Sequence, residues 1–303
     1  MTNRVNLGNS LTVLATALCL AASGCDMKRL VIRSSYLMVQ EAEAAFFEEP
    51  DTILAAEAAP ANLKLIEGMA RGVPDDPELQ VAAARMLSLY AFGFLEDCCE
   101  GADEQARADD RARAIHQRAL AYATRALDQE IDFSGLMKQD LETFEAGIGK
   151  LGEEHVPALF WATFAWGLYI NLSRADVAAV ADLPKVAALS RRIAELDETY
   201  FYGGAHLFLM VYHGSLGPAV GGDPAKAKAA YEKAWEIGGE AFLMTKYLFA
   251  KYYCQQTLDR DLFEKLLGEV IDAPADLLPE QRLSNTLSKE KAARLLARAD
   301  DLF

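Results

Sequence analysis

The segment from Pro157 to Leu172 constrains the fold of this chain more than any other. It carries no charged residue and combines aromatic with aliphatic side chains around its whole circumference. A helix that is apolar on every side has to be covered on every side. At about 16 residues it is shorter than the roughly 20 that a helix needs to span a bilayer. The segment therefore predicts a buried central helix, with Pro157 in its first turn, where a missing N–H is tolerated.

The segment from Pro184 to Leu196 is predicted to lie beside this helix. Its apolar residues recur at helical spacing, and its charged residues lie mostly elsewhere around the helix. A buried helix followed by a half-exposed one is typical of a helix-hairpin repeat. The apolar residues of the second helix are Val186, Leu189, Ile193 and Leu196.

Internal repeats extend this pattern along the chain. Four segments have the spacing of the second helix of a tetratricopeptide (TPR) hairpin, in which three and then two positions separate the key residues. Alanine is common here, so each match is weak alone, but four in order favour a series of hairpins. The four matches are Ala61, Leu65 and Gly68; Ala119, Ala123 and Ala126; Ala187, Arg191 and Ala194; and Ala227, Tyr231 and Ala234.

Helix boundaries can also be predicted from capping residues. Asp76 before Pro77, and Asp223 before Pro224, are each an N-cap followed by proline at the first helical position. Further segments show helical spacing, and no alternating segment indicates a sheet. The helical segments are 111–127, 241–256 and 261–271, and the predicted connectors are 98–110 and 273–279.

These patterns predict an all-α fold of about a dozen helices, arranged as TPR-like hairpins in one α-solenoid-like domain over residues 30–303. Stacked hairpins bury a continuous core and leave a concave groove that is commonly used for ligands or peptides.

The first 24 residues predict an export signal. Arg4 is followed by an uncharged apolar segment and then by Ala22-Ser23-Gly24-Cys25, which resembles a bacterial lipobox. That resemblance implies cleavage before Cys25 and acylation of this cysteine, with residues 25–29 as a lipidated tether. Leucine is usual where Ala22 stands, and the alternative is an ordinary secretory signal. We expect a periplasmic protein anchored to a bacterial membrane through its acyl chains. Asp26 favours the inner membrane.

The chain is strongly acidic. It has 30 Lys and Arg against 45 Asp and Glu, and removal of residues 1–24 leaves a net charge of −16. This charge argues against binding to nucleic acid. After Cys25 the remaining cysteines are Cys98, Cys99 and Cys254, without a C-x-x-C pair. A disulfide to Cys254 and three buried free thiols are both compatible with the sequence.

No pattern predicts catalysis or a metal. The four histidines lack the spacing of a zinc site, and no G-x-S-x-G elbow occurs. The glycines at 147, 149 and 152 follow a segment that looks helical, so they indicate a turn and not a nucleotide site. We therefore expect no enzyme, metal or cofactor.

Aromatic residues are crowded into two of the predicted helices, and most of them belong to core packing. A minority are candidates for the wall of an apolar ligand cleft, together with nearby polar groups. Our candidate cleft residues are Trp161, Trp166, Asn171, Tyr202 and His206.

Several motifs together resemble the T component of tripartite ATP-independent periplasmic (TRAP) transporters, a lipoprotein family built on TPR-like repeats. The resemblance is densest from Val156 to the end of the chain. The motifs are Val156-Pro157-Ala158-Leu159-x-Trp161, Ala165-Trp166-Gly167, Asp182-Leu183-Pro184-x-Val186, Arg192-x-x-Glu195-Leu196-Asp197-x-x-Tyr200, Tyr202-Gly203-x-Ala205-His206, Gly221-Gly222-Asp223-Pro224-x-Lys226-Ala227, Asp261-Leu262-Phe263 with Leu266-Leu267, Pro279-x-x-Arg282-Leu283-x-Asn285 and Asp300-Asp301-Leu302-Phe303.

This resemblance implies an auxiliary, membrane-tethered transport component without enzymatic activity. It implies association with the periplasmic substrate-binding protein, a homotrimer, and a pore or cleft beside the repeats that suits a small hydrophobic or organic-acid ligand. The family has no catalytic residues to transfer, so only the acylated Cys25 and the fold are carried over. The alternative function is a general cell-envelope TPR scaffold that binds a peptide or an assembly partner.

Overall fold

The computed structural model describes the backbone of residues 7–218 and 221–303, and side chains from residue 27 onward within these ranges. Cys25 and the predicted signal lie outside the residues whose side chains are described. The described residues form helices and no strand, which confirms the all-α prediction. The α-helices are α1 (Leu7–Phe47), α2 (Thr52–Gly72), α3 (Pro77–Phe94), α4 (Ala102–Leu127), α5 (Phe133–Leu136), α6 (Leu141–Ile148), α7 (Val156–Asn171), α8 (Val177–Val180), α9 (Leu183–Leu196), α10 (Tyr200–Ser215), α11 (Pro224–Gly238), α12 (Met244–Phe249), α13 (Gln255–Thr257), α14 (Arg260–Asp272), α15 (Arg282–Leu296) and α16 (Ala299–Leu302).

Helix α7 is the central element that its composition predicts. Most of its residues are buried, and Trp161 has no exposed surface at all. It contacts α3 and α4 on one side and α9 and α10 on the other. Because helices cover it on every side, an uncharged circumference costs nothing in solvation.

Consecutive helices pair as hairpins, namely α3 with α4 and α10 with α11, while α7 pairs with α9 across the short α8. Three of the four predicted repeat frames have buried small residues at these contacts. Ala119 and Ala123 of α4 and Ala227 of α11 are fully buried. The close approach of the paired helices depends on these small side chains.

The frame predicted in α2 is wrong. Leu65 is 53% exposed, and Ala61 and Gly68 are exposed with it. The buried face of α2 instead carries Leu63 and Ile66. In an alanine-rich helix, a pattern of small residues occurs on more than one face. The face with the larger aliphatic residues is the buried one, because it removes more apolar surface from water.

The predicted caps are confirmed. The side chain of Asp76 accepts a hydrogen bond from Leu79 N at 3.3 Å, and that of Asp223 accepts from Ala225 N and Lys226 N at 3.1 and 3.2 Å. Each cap satisfies backbone donors that the first turn leaves unpaired.

The connector predicted for residues 98–110 is wrong over most of its length. Helix α4 already begins at Ala102, and it carries Asp103 and Glu104 in its first turn. Carboxylates at this end favour helix formation, because they face the positive end of the helix dipole. The polarity of the segment therefore marks a solvent-facing helix start.

The buried residues form two large clusters. The first surrounds α7 and includes residues of α2, α3, α4 and α9. The second includes residues of α10, α11, α12, α14 and α15. Helix α15 also contacts α1 and α2, and Thr52 donates a hydrogen bond to Glu290 at 2.7 Å. The end of the chain thus returns to its first helices, and α15 lies against both of them.

Helix α10 begins with a left-handed turn. Phe201, Tyr202 and Gly203 have φ values of 49°, 59° and 74°. Left-handed backbone costs a residue with a side chain roughly 1–2 kcal/mol, so it persists only where the surroundings hold it in place. The ring of Phe201 lies 5.3 Å from that of Phe160 and 5.1 Å from that of Trp161. Aromatic packing against α7 holds this turn.

We expect Gly204→Ala to destabilise the protein, because a Cβ at this position would lie 2.5 Å from the ring of Phe160, which is only 1% exposed. Overpacking of this kind costs about 1–3 kcal/mol. The free energy of unfolding in urea measures the effect.

Gly68→Ala is the matched control. A Cβ at Gly68 meets nothing within 4 Å, so alanine is expected to stabilise this helical position by about 0.5–1 kcal/mol. Equal effects of the two substitutions would show that the contact between α7 and α10 is not tight.

Candidate ligand-binding cavities

The first candidate site is a cavity between the two buried clusters. Its volume is about 110 Å³, and seven α-helices contribute to its wall. Its lining residues are Phe46, Phe47, Ala59, Leu63, Met86, Leu89, Tyr90, Phe92, Gly93, Phe94, Phe160, Phe164, Leu168, Phe201, Gly204, Leu207, Phe208, Val211, Phe242, Met244, Leu248, Tyr252, Gln281, Leu283, Ser284 and Leu287.

The wall of the first cavity is aromatic and free of charge. No Asp, Glu, Lys, Arg or His occurs among the residues that line it. Phe164 forms edge-to-face contacts with Phe92 and Phe208, each with ring centroids 5.6 Å apart. Such rings are rigid and well packed, and cavities lined in this way bind apolar molecules. The geometry therefore suits an apolar ligand.

A second cavity of about 230 Å³ adjoins the first. The two share a wall of four side chains, which are Leu168, Phe208, Val211 and Tyr252. The second cavity has a polar end, because Asn171 and Arg174 also line it. Its other lining residues are Gly167, Ile170, Val180, Leu183, Val186, Ala187, Ser190, Tyr212, Ser215 and Leu216.

Tyr252, in the shared wall, lies in an unusual backbone segment. Residues Ala250–Cys254 form a π-helix between α12 and α13, and π-helical turns occur frequently at functional sites. The phenol oxygen of Tyr252 accepts a hydrogen bond from Asn171 Nδ2 at 3.3 Å. This bond joins the π-helix to the end of α7.

A polar network connects the π-helix to the loop after α3. Lys251 forms an ion pair with Asp97, and Tyr247 donates a hydrogen bond to the same carboxylate at 2.9 Å. Arg294 Nε donates to the backbone oxygen of Asp97 at 2.9 Å, and Lys291 donates to that of Glu96. The loop after α3 is thereby tied to α12, the π-helix and α15, across the boundary between the two clusters.

Burial and charge compete within this network. Burial alone would raise the pKa of the Asp97 carboxyl, but the positive charges of Lys251 and Lys291 hold that pKa well below its usual range. Burial lowers the pKa of Lys291 to about 8. Asp97 itself has a left-handed backbone, with a φ of 52°. The network thus combines a strained backbone at Asp97 with buried charges, and both are stable only when complementary partners surround them.

Of the five residues selected from the sequence, Asn171 lines a cavity. Trp161 and Trp166 are buried in the core and line neither cavity. Tyr202 stacks on Phe242 with centroids 4.7 Å apart, so it supports a lining residue. His206 Nε2 lies 3.5 Å from a carboxylate oxygen of Glu198 and also lines neither cavity.

Sequence reasoning missed Arg174 and Tyr252, and it missed the contribution of α3 to the first cavity. Arg174 lies in a turn without a motif, and π-helical geometry has no signature in this sequence. The aromatic residues of α3 and α10 were the available signal for this cavity wall. In α3, every second residue from Tyr90 to Phe94 is aromatic.

Cys98, Cys99 and Cys254 are free thiols in the structure. Cys254 is fully buried, and burial raises its pKa to about 12. The structure has no disulfide among these three residues, and of the predicted buried thiols only Cys254 is buried, since Cys98 and Cys99 are half-buried. Within the described part of the chain, no three metal-ligating side chains come together, and no helix there is both long and apolar enough to cross a bilayer.

The fold and the cavities define a helical protein built from hairpins, with an uncharged and mostly apolar cavity between its two buried clusters. Residues 48–303 match the family model of the TRAP transporter T-component. The chain belongs to this family, which is one of auxiliary transport components and not of enzymes. The chain is also similar to an uncharacterized protein of Treponema pallidum (strain Nichols), with 23% identity over 95% of this chain and 96% of that protein.

We expect Asp97→Asn to lower the free energy of unfolding at pH 7, because it leaves Lys251 and Lys291 without their carboxylate. Breaking a buried pair costs 3–5 kcal/mol, but the Asp97 side chain is 37% exposed, so about 1–3 kcal/mol is expected after solvent screening. The pKa of this carboxyl is lower in the folded chain than in the unfolded one, so its stabilising effect is present above about pH 4 and is lost as the pH falls further.

Urea unfolding of wild type and variant between pH 3 and pH 7 tests this expectation. The difference between the two should shrink toward pH 3. The control is Asp300→Asn at an ion pair whose carboxylate is 90% exposed, where a change below about 0.5 kcal/mol is expected. A pH-independent difference for Asp97→Asn would contradict the electrostatic explanation.

Proposed function

We propose that this T-component holds or passes a small hydrophobic or organic-acid ligand for a TRAP-type uptake system and binds its periplasmic substrate-binding protein. The observation that carries this proposal is the uncharged first cavity, which shares a wall with a second cavity that has a polar end. Apolar walls with few placed polar groups are the usual composition of a small-molecule site. The family assignment supplies the transport context.

A general envelope scaffold that binds a peptide or an assembly partner is the alternative. Recognition of an extended peptide uses rows of polar groups that pair with its backbone. The polar side chains that line the first cavity are Tyr90, Tyr252, Gln281 and Ser284, and its other side chains are apolar. This composition favours a small apolar molecule over a peptide.

We also propose that the protein acts in the periplasm, anchored through an acylated Cys25. Support comes from the lipobox-like sequence and from the start of the described side chains, where Met27, Leu30 and Val31 are 62%, 64% and 55% exposed. Exposed apolar residues directly after an anchor suit a membrane-proximal position.

Cys25→Ala is expected to abolish incorporation of labelled palmitate in a bacterial host and to shift the protein from the membrane fraction to the soluble fraction. Cys98→Ala is the control, and it should retain both the label and the membrane location. Wild-type protein that carries no label would favour the ordinary secretory signal and would overturn the anchor.

A homotrimer is the assembly that we propose. Exposed apolar side chains follow α1 and α2, where Leu37, Met38, Ile53 and Leu54 are each more than half exposed. Exposed apolar side chains of this kind are candidates for contacts between copies of the chain. The net charge of −16 after signal removal suits a substrate-binding protein that presents a basic patch, because complementary charge accelerates encounter.

We expect the chain from Asp26 onward, purified without detergent, to retain a small apolar or organic-acid molecule and to have the mass of a trimer in native mass spectrometry. It should also bind the neutral dye N-phenyl-1-naphthylamine. Ser284→Phe places a ring in the first cavity and should weaken dye binding by roughly tenfold or more, since each excluded methylene contact is worth about 0.8 kcal/mol.

Ser284→Ala is the matched control, because it changes the same position without filling the cavity. Its dye affinity should equal that of wild type. A ligand-free monomer that does not bind the dye would contradict the ligand-handling function and favour the scaffold.

A further inference from the structure

Three hydrogen-bonded side chains form the polar end of the second cavity. Asn171 Oδ1 accepts hydrogen bonds from Arg174 Nε at 3.1 Å and from Arg174 Nη2 at 2.6 Å, while Asn171 Nδ2 donates to the oxygen of Tyr252. A single amide thus fixes both a guanidinium and a phenol. The three side chains all line the same cavity.

This arrangement leaves hydrogen-bond donors without acceptors. A guanidinium has five N–H groups, and Asn171 takes two of those of Arg174. Among the described residues, no carboxylate lies within 4 Å of Arg174, and none accepts the O–H of Tyr252. The pKa of Tyr252 is raised by burial, so its phenol stays protonated at neutral pH and can donate.

Among the described residues, no acidic side chain lines the second cavity. The chain has 45 Asp and Glu, so carboxylates are abundant on its surface, yet none of the described ones pairs with Arg174. The end of the cavity thus offers a guanidinium without a carboxylate partner and a phenol O–H, while its other walls are aliphatic and aromatic. A molecule with a negatively charged hydrogen-bond acceptor at one end and an apolar chain is complementary to this arrangement. A carboxylate satisfies both donors, since guanidinium and carboxylate pair with matched geometry.

We propose that Arg174 and Tyr252, positioned by Asn171, bind the carboxylate of an amphipathic organic acid whose apolar chain lies along Leu168, Phe208 and Val211 toward the first cavity. This inference rests on the proposed ligand-handling function and narrows its ligand to anionic amphiphiles. A neutral or cationic molecule with the same chain leaves the guanidinium unpaired or opposes its charge.

The test compares octanoate, 1-octanol and octylamine, which share one chain and differ in the head group, by displacement of N-phenyl-1-naphthylamine at pH 7.5. Wild type should bind octanoate about tenfold more tightly than 1-octanol, because a charge-assisted hydrogen bond contributes free energy of this size. Octylamine should bind most weakly. Arg174→Gln should remove the preference for octanoate and leave 1-octanol unchanged within about twofold.

Three further variants separate charge, geometry and general effects. Arg174→Lys should retain part of the preference, because it keeps the charge and loses the planar fork. Tyr252→Phe should weaken octanoate and spare 1-octanol. Arg298→Gln removes an exposed arginine that lines neither cavity, and it should behave as wild type. Arg174 is exposed and bonds only Asn171, so its substitution leaves the fold intact.

The outcomes distinguish the two proposals. Equal affinity for octanoate and 1-octanol in wild type, or an unchanged preference in Arg174→Gln, would overturn the carboxylate subsite while the apolar-ligand function stands. Failure of all three octyl compounds to displace the dye would overturn the subsite, and failure of the dye itself to bind would overturn the proposed function with it.

Discussion

The burial of α7 on every side is the constraint on which the rest of the structure depends. A helix without charge can be stable in water only if other helices cover its whole circumference, and α3, α4, α9 and α10 do so. The covering helices come from both before and after α7 in the sequence. Their packing around it therefore brings distant parts of the chain together. The first cavity lies where the aromatic residues of α7, α3 and α10 meet without filling the space between them.

The two buried clusters are joined by polar groups as well as by apolar contacts. Asp97 holds Lys251 and Tyr247, and these residues anchor the segment that carries Tyr252. The positioning of the π-helix and the contact with a ligand therefore involve different groups. The network positions the π-helix through interactions that only complementary partners satisfy, while the face of Tyr252 toward the cavities stays available for a ligand.

Much of the fold was predictable from the sequence because its signals are local. The N-caps Asp76 and Asp223, the apolar segment of α7 and the small residues of α4 each act through neighbours within a few turns. The candidate site was less predictable. Asn171 was selected and lines the second cavity, whereas Trp161 and Trp166 had the same aromatic signal as the lining residues and are buried in the core.

The sequence by itself determined the all-helical class, the buried helix, the helix starts after Asp76 and Asp223 and the acidic character, because each follows from composition or from a pattern over a few residues. Only the tertiary structure decided which face of α2 is buried, which aromatic rings face a cavity, and that Asn171 meets Tyr252 from 81 positions away. These features depend on how whole helices cross and on space that they leave unfilled. No local pattern encodes a void or a contact between residues so distant in the chain.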